Sequence, residues 1–128
     1  MTERTNRPIH IALIDDDSSV RKAVSRLLRS HDYACSAYES AESALNDPAL
    51  PSMQCLVIDV QLSGMSGFAF RDRLRQSGIR IPSLFISGHA DSDSPDWVHS
   101  IGDTPFVQKP FDEAQLLSAI EKLVHTPW

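Results

Sequence analysis

Three carboxylates, a hydroxyl and an amine stand where short apolar runs stop in this chain. Asp15 and Asp16 follow Ile11-Ala-Leu-Ile14, and Asp59 follows Cys55-Leu-Val-Ile58. Ser87 ends the run over 81–87, and Lys109 follows the run over 105–108. Three carboxylates drawn together repel and raise one another's pKa unless a cation sits among them. A hard divalent ion removes that conflict, and Mg2+ suits a few carboxylates, several waters and a phosphate oxygen. Each residue alone also has a structural reading. Asp17 serves equally well as a helix N-cap, Asp59 as a loop residue, Ser87 as a turn former and Lys109 as a solvated charge. The joint pattern, with every group at the end of a buried strand, is what carries the chemical reading.

The elements that would position these groups alternate between two periods. Residues 9–14 and 54–59 are near-continuous apolar runs of the kind covered on both faces in a parallel sheet. Residues 33–38, 81–87 and 105–108 are three further strands, the fourth opened by Pro82 where a lost donor is best tolerated. After the first strand Ser18 can cap a helix in which Val20, Ala23, Val24, Leu27 and Leu28 recur at helical spacing. A short helix follows a cap at Ser40 and stops at Asp47-Pro48. Gly64-Met-Ser-Gly67 turns into a helix over 67–76 that Gly78 can end. The segment 91–103 predicts only a short fourth helix from Pro95, with poor amphipathy. Asp112 and Gln115 have capping-box spacing, ahead of the stripe Leu116, Leu117, Ile120, Leu123 and Val124.

Five strands alternating with five helices predict an α/β fold, a flavodoxin-like (βα)5 three-layer sandwich with parallel sheet order 2-1-3-4-5. In that order the strand carboxyl ends share one edge, with the ligand crevice outside strands 1 and 3. Asp15, Asp16, Asp59, Ser87 and Lys109 would all converge there.

Composition bounds the partners. The 128 residues fit one domain with a core over about 8–125 and no output domain in this chain. With 12 Lys+Arg against 17 Asp+Glu, the net charge of −5 disfavours direct binding to nucleic acid or anionic membranes. No apolar run approaches the length of a membrane span and no signal peptide opens the chain, so a cytoplasmic location is expected. Cys35 and Cys55 sit among apolar residues and form no disulfide framework. His10, His31, His89, His99 and His125 lack metal-ligand spacing. Arg71, Arg73, Arg75 and Arg80 read as the solvated face of the third helix.

The segments Leu13-Ile-Asp-Asp-Asp17, Val57-Ile-Asp-Val-Gln-Leu-Ser-Gly-Met-Ser-Gly67, Phe85-Ile-Ser-Gly-His89 and Phe106-Val-Gln-Lys-Pro-Phe111 resemble the receiver domain of two-component response regulators. The resemblance covers about residues 8–124. Val20-Arg-Lys22 and Gly88-His-Ala-Asp91 look most like receivers attached to helix-turn-helix transcription regulators. It implies that Asp59 is the phosphoacceptor, and that Asp15, Asp16, Asp59 and the backbone carbonyl of Gln61 hold Mg2+. It further implies that Lys109 pairs with one phosphoryl oxygen, Ser87 hydrogen-bonds another, and the Lys109–Pro110 peptide is cis. Phe106 matches the aromatic switch position that turns inward or outward with phosphorylation. The implied donor is a sensor histidine kinase or phosphotransfer protein. An output domain or target protein would read a face made of the fourth helix, strand 5 and the fifth helix, and homodimerisation through that face is left open.

The chain departs from the family pattern at three places. Ser87 stands where threonine is usual, and Ser63 stands where proline is usual after the phosphoacceptor. Residues 91–103 lack the usual Ala-rich helix and carry Asp91, Asp93, Asp96 and Asp103, with Trp97 read as packing or as a docking anchor. These departures keep a second reading alive, a receiver-like interaction module that works without phosphate. A dehalogenase-like phosphatase is set aside because Gln61 stands where that chemistry needs a second Asp. Nucleotide binding has no Gly-rich loop to support it.

Overall fold

A computed structural model describes residues 8–87, 105–109 and 111–125. The strands are β1 (His10–Ile14), β2 (Ala34–Tyr38), β3 (Cys55–Asp59), β4 (Ser83–Ser87) and β5 (Phe106–Gln108), all parallel in the order β2-β1-β3-β4-β5. Helices α1 (Ser18–Ser30), α2 (Ala41–Leu45) and α3 (Gly67–Gln76) follow the first three strands, and a C-terminal helix (Glu113–His125) follows β5. The expected fourth helix within 91–103 lies outside the described residues. No described helix is long and apolar enough to cross a membrane.

Side-chain alternation along the strands divides the core into two layers. Ile11, Leu13, Cys55, Val57, Leu84, Ile86 and Val107 join Val24 and Leu28 of α1 and Leu116 and Ile120 of the C-terminal helix. Ala12, Ile14, Leu56, Ile58 and Phe85 join Ala41 and Ala44 of α2 and Phe70 and Leu74 of α3. The central strands are apolar on both faces because both faces are covered, which is why they read as unbroken runs. Burying each Ile, Leu, Val or Phe contributes about 1.5–3 kcal/mol, so these two layers dominate the stabilisation.

Local signals explain most boundaries. Ser40 caps α2 by accepting from the Ser43 amide at 3.0 Å, and Ser66 caps α3 by accepting from Ala69 at 3.1 Å. For α1 the sequence allowed either Ser18 or Asp17 as the cap. Asp17 holds that position, accepting from the Ser19 amide at 2.9 Å, while Ser18 is the first helical residue. A carboxylate is the stronger choice because it also meets the positive end of the helix dipole.

At the end of α3 Gly78 adopts a left-handed φ of 84°. There the Ile79 amide donates to Leu74 at 2.9 Å and the Gly78 amide to Arg75 at 3.0 Å, closing the helix. Helix α1 ends the same way through Asp32, at φ 69°, with Tyr33 donating to Leu28.

Helix α3 departs from expectation at Arg71, which is buried while Arg73, Arg75 and Arg80 are exposed. Its guanidinium lies 5.2 Å from the centre of the Phe85 ring, next to the edge-on pair Phe68–Phe85. The aliphatic stem and flat head of arginine let it pack as an apolar residue over an aromatic face. Solvation therefore does not describe this member of the basic set.

Gly67 opens α3 directly against the backbone of β3. A Cβ there would lie 2.4 Å from the Asp59 carbonyl oxygen and 2.9 Å from Ile58 Cγ2. Gly67→Ala should therefore lower the unfolding free energy by about 1–3 kcal/mol, the usual cost of overpacking, measured by urea titration. An unchanged midpoint would show that β3 and α3 separate freely.

Candidate functional site

The period-two alternation that builds the core also aims the site. Asp15, Asp59 and Lys109 each come two residues after a core residue, Leu13, Val57 and Val107, that faces α1 and the C-terminal helix. In a parallel sheet those positions share one edge, so three distant residues meet. The Lys109 ammonium lies 3.0 Å from Asp15 Oδ2 and 3.2 Å from Asp59 Oδ2. Asp15 is wholly buried and Asp59 is 4% exposed.

Backbone groups hold both carboxylates in place. Asp15 Oδ1 accepts from the Asp17 amide and Asp59 Oδ1 from the Gln61 amide, both at 2.9 Å. These paired turns leave the Oδ2 atoms facing the lysine. The Arg21 guanidinium donates to the Asp15 carbonyl at 2.8 Å and ties α1 to the end of β1. Asp16 is exposed, and its Oδ2 accepts from the Ser63 hydroxyl at 3.1 Å.

The charges are unevenly matched. Burial pushes the Asp59 carboxyl up to about 6; the Gln61 amide opposes the shift, the Asp15 charge adds to it, and Lys109 opposes it. Burial on its own would lower the Lys109 ammonium. The hydrogen bond to Asp15 and the charges of Asp59 and Asp15 outweigh it, holding the ammonium above its ordinary value. Lys109 is therefore a fixed cation, and Asp59 is largely ionised near neutral pH.

One oxygen from each of Asp15, Asp16 and Asp59 can be chosen so that all three lie within 4.8 Å of one another. A purely carboxylate donor set with one exposed member fits a hard ion that keeps several waters, as Mg2+ does. Nothing soft or nitrogenous competes within the set, so the residues fit that ion. Asp17, by contrast, is taken up as a helix cap.

Ser87 is buried at the end of β4, and its carbonyl accepts from the Lys109 amide at 2.7 Å. Phe106, on β5 opposite Phe85, is 42% exposed and faces outward. Pro110 lies outside the described residues, as do His89 and Trp97, so the expected cis bond falls there too. Two contributors went unseen in the sequence. The Arg21 contact could be suspected from a basic residue one turn into the helix after the acidic run. Nothing in the sequence signals the Ser63–Asp16 hydrogen bond, which joins residues 47 positions apart.

Known proteins share this fold and much of this sequence. A family model described as the response regulator receiver domain matches residues 11–121. The chain is 37% identical over 116 residues to the response regulator protein TodT of Pseudomonas putida, covering 91% of this chain and 51% of that protein. It is 31% identical over 113 residues to the transcriptional regulatory protein FixJ of Azorhizobium caulinodans, covering 88% of this chain and 53% of that protein. Among solved structures it is similar to the response regulator StyR, with a TM-score of 0.79, 34% identity and coverage of 90% of this chain and 58% of that one. It is also similar to FixJ-N, with a TM-score of 0.80, 28% identity and coverage of 95% and 98%. The chain spans about half the length of the curated relatives it matches.

The raised carboxyl has a consequence for stability. A folded-state pKa of about 6, above the unfolded value, means that ionising Asp59 opposes folding. The penalty is absent below the unfolded value, grows between about pH 4 and 6, and is complete above the folded one. Asp59→Asn removes it, and Lys109 keeps Asp15 as a partner. At neutral pH with EDTA the variant should be more stable by about 1–2 kcal/mol, after allowance for solvent screening. The gain should vanish near pH 4 in thermal melts; an equal gain at both pH values would exclude the electrostatic origin.

Proposed function

The chain belongs to the response regulator receiver domain family, and from that premise we propose that Asp59 is its phosphoacceptor. The observation that carries this reading is the contact of the Lys109 ammonium with both buried carboxylates, 3.0 Å from Asp15 and 3.2 Å from Asp59. A nucleophile for phosphoryl transfer needs an ionised oxygen beside fixed positive charge. Here the residues supply both, because Asp59 is mostly carboxylate at neutral pH while Lys109 stays protonated.

An Asp59 oxygen attacks the phosphorus of a phosphohistidine on a sensor histidine kinase or phosphotransfer protein, or of a small acyl phosphate. As the new P–O bond forms, the bond to the donor breaks and its electron pair leaves with the imidazole or carboxylate. Asp15, Asp16, Asp59 and the Gln61 backbone carbonyl would hold Mg2+, which would supply positive charge against the phosphoryl oxygens. Lys109 turns from the carboxylates to one phosphoryl oxygen and the Ser87 hydroxyl donates to another. The chemistry is acceptance and slow loss of its own phosphoryl group rather than turnover of a separate substrate.

Phosphorylation adds about 1.5 to 2 negative charges and three acceptor oxygens. Ser87 and Lys109 are the donors that answer it, and both end strands. Their movement draws on the ends of β4 and β5 and biases Phe106 between exposed and inward positions. A face that includes β5 and the C-terminal helix carries the signal to an output domain or a target protein. The name of FixJ, a transcriptional regulatory protein, supports gene control as the output.

Incubation with acetyl phosphate and Mg2+ should add one phosphoryl group by intact mass, located on Asp59 by peptide mapping. EDTA or Asp59→Asn should abolish it, and Lys109→Ala should slow it by about 100-fold, the usual cost of losing one transition-state donor. Undiminished acceptance by Asp59→Asn would overturn the assignment.

A further inference from the structure

Resting on the reading of Asp15, Asp16 and Asp59 as the Mg2+ ligands, we propose that Ser63 is a positioning residue that orients the exposed ligand Asp16. The three carboxylates are not equally constrained. Asp15 and Asp59 are buried, accept backbone amides and face Lys109. Asp16 is exposed, and the Ser63 hydroxyl at 3.1 Å is its hydrogen-bond donor among the described residues. An exposed carboxylate with no donor samples several rotamers, and gathering it to a cation costs that freedom. A hydroxyl that donates to the carboxylate removes part of the cost beforehand and fixes which oxygen stays open to the ion.

The tether also runs between the two acidic loops. Ser63 lies in the turn that follows Asp59, four positions after it, and Asp16 lies in the turn after β1. That second loop is itself held. Gln61 donates to Asp59, and Gly64 takes a left-handed φ of 82° with Glu42 close enough that a Cβ would lie 3.3 Å from its carboxylate. Ser63 is thus presented from a shaped turn toward Asp16. A proline at this position has no side-chain donor, so serine does here what that residue cannot.

Binding of Mn2+, followed by electron paramagnetic resonance of the free ion and by competition with Mg2+, tests the proposal without reference to phosphorylation. Ser63→Ala should weaken Mn2+ binding by about tenfold, the lower end of second-shell effects on metal affinity. Ser63→Thr, which keeps the hydroxyl, should restore it to within about twofold of the parent. Thermal midpoints in EDTA should be alike for all three proteins, which separates positioning of the ligand from a general effect on folding. Equal Mn2+ affinity in the parent and Ser63→Ala overturns this proposal alone. Failure of the parent to bind Mn2+ overturns the metal-site reading and this one with it.

Discussion

A single ammonium from the end of the sheet holds two buried carboxylates that would otherwise drive its middle strands apart. Asp15 and Asp59 arrive from neighbouring strands, β1 and β3, and their placement follows from the same alternation that packs Leu13 and Val57 into the core. Neither can leave the edge without exposing the residues before it. Lys109 answers both at once, and it can do so only because β5 lies beyond β4 in parallel register. Strand order, parallel register and core composition therefore all bear on one contact. With two acidic groups against one base, the pocket is left short of positive charge.

That shortage explains why stability and chemistry pull in opposite directions at Asp59. A carboxyl that burial pushes up to about 6 is costly to ionise in the folded protein. The proposed reaction nevertheless needs the ionised form, because only a carboxylate can act as the nucleophile. Functional sites commonly carry such a cost because the surrounding core is large enough to bear it. Here the two apolar layers on either face of the sheet do so, and the strain stays confined to the strand ends.

Most of this was readable before any coordinates. The unbroken runs at 9–14 and 54–59 suited strands covered on both faces, and that reading put the acidic residues after them on one edge. Ser40, Asp47-Pro48 and Gly78 punctuate the helices as their local chemistry requires. Two features were harder to see because they depend on tertiary context. Arg71 looked like its exposed neighbours, yet lies over Phe85 on the next strand. Ser63 meets Asp16 only because two loops from separate strands fold side by side. Period and capping are local properties, whereas these contacts are set by what packs across the sheet.

The close seat of Gly67 on the Asp59 carbonyl has a mechanical consequence. With no room for even a methyl group, the start of α3 acts as a backstop against which the end of β3 is braced. A force applied to the Asp59 side chain therefore meets a stiff support and cannot be absorbed by recoil of its own strand. β5, by contrast, is bound to its neighbour by only three paired positions and leaves its aromatic residue partly exposed. In the proposed switching, load would enter at the braced centre and displacement would emerge at β5, so one missing side chain helps set the direction of travel.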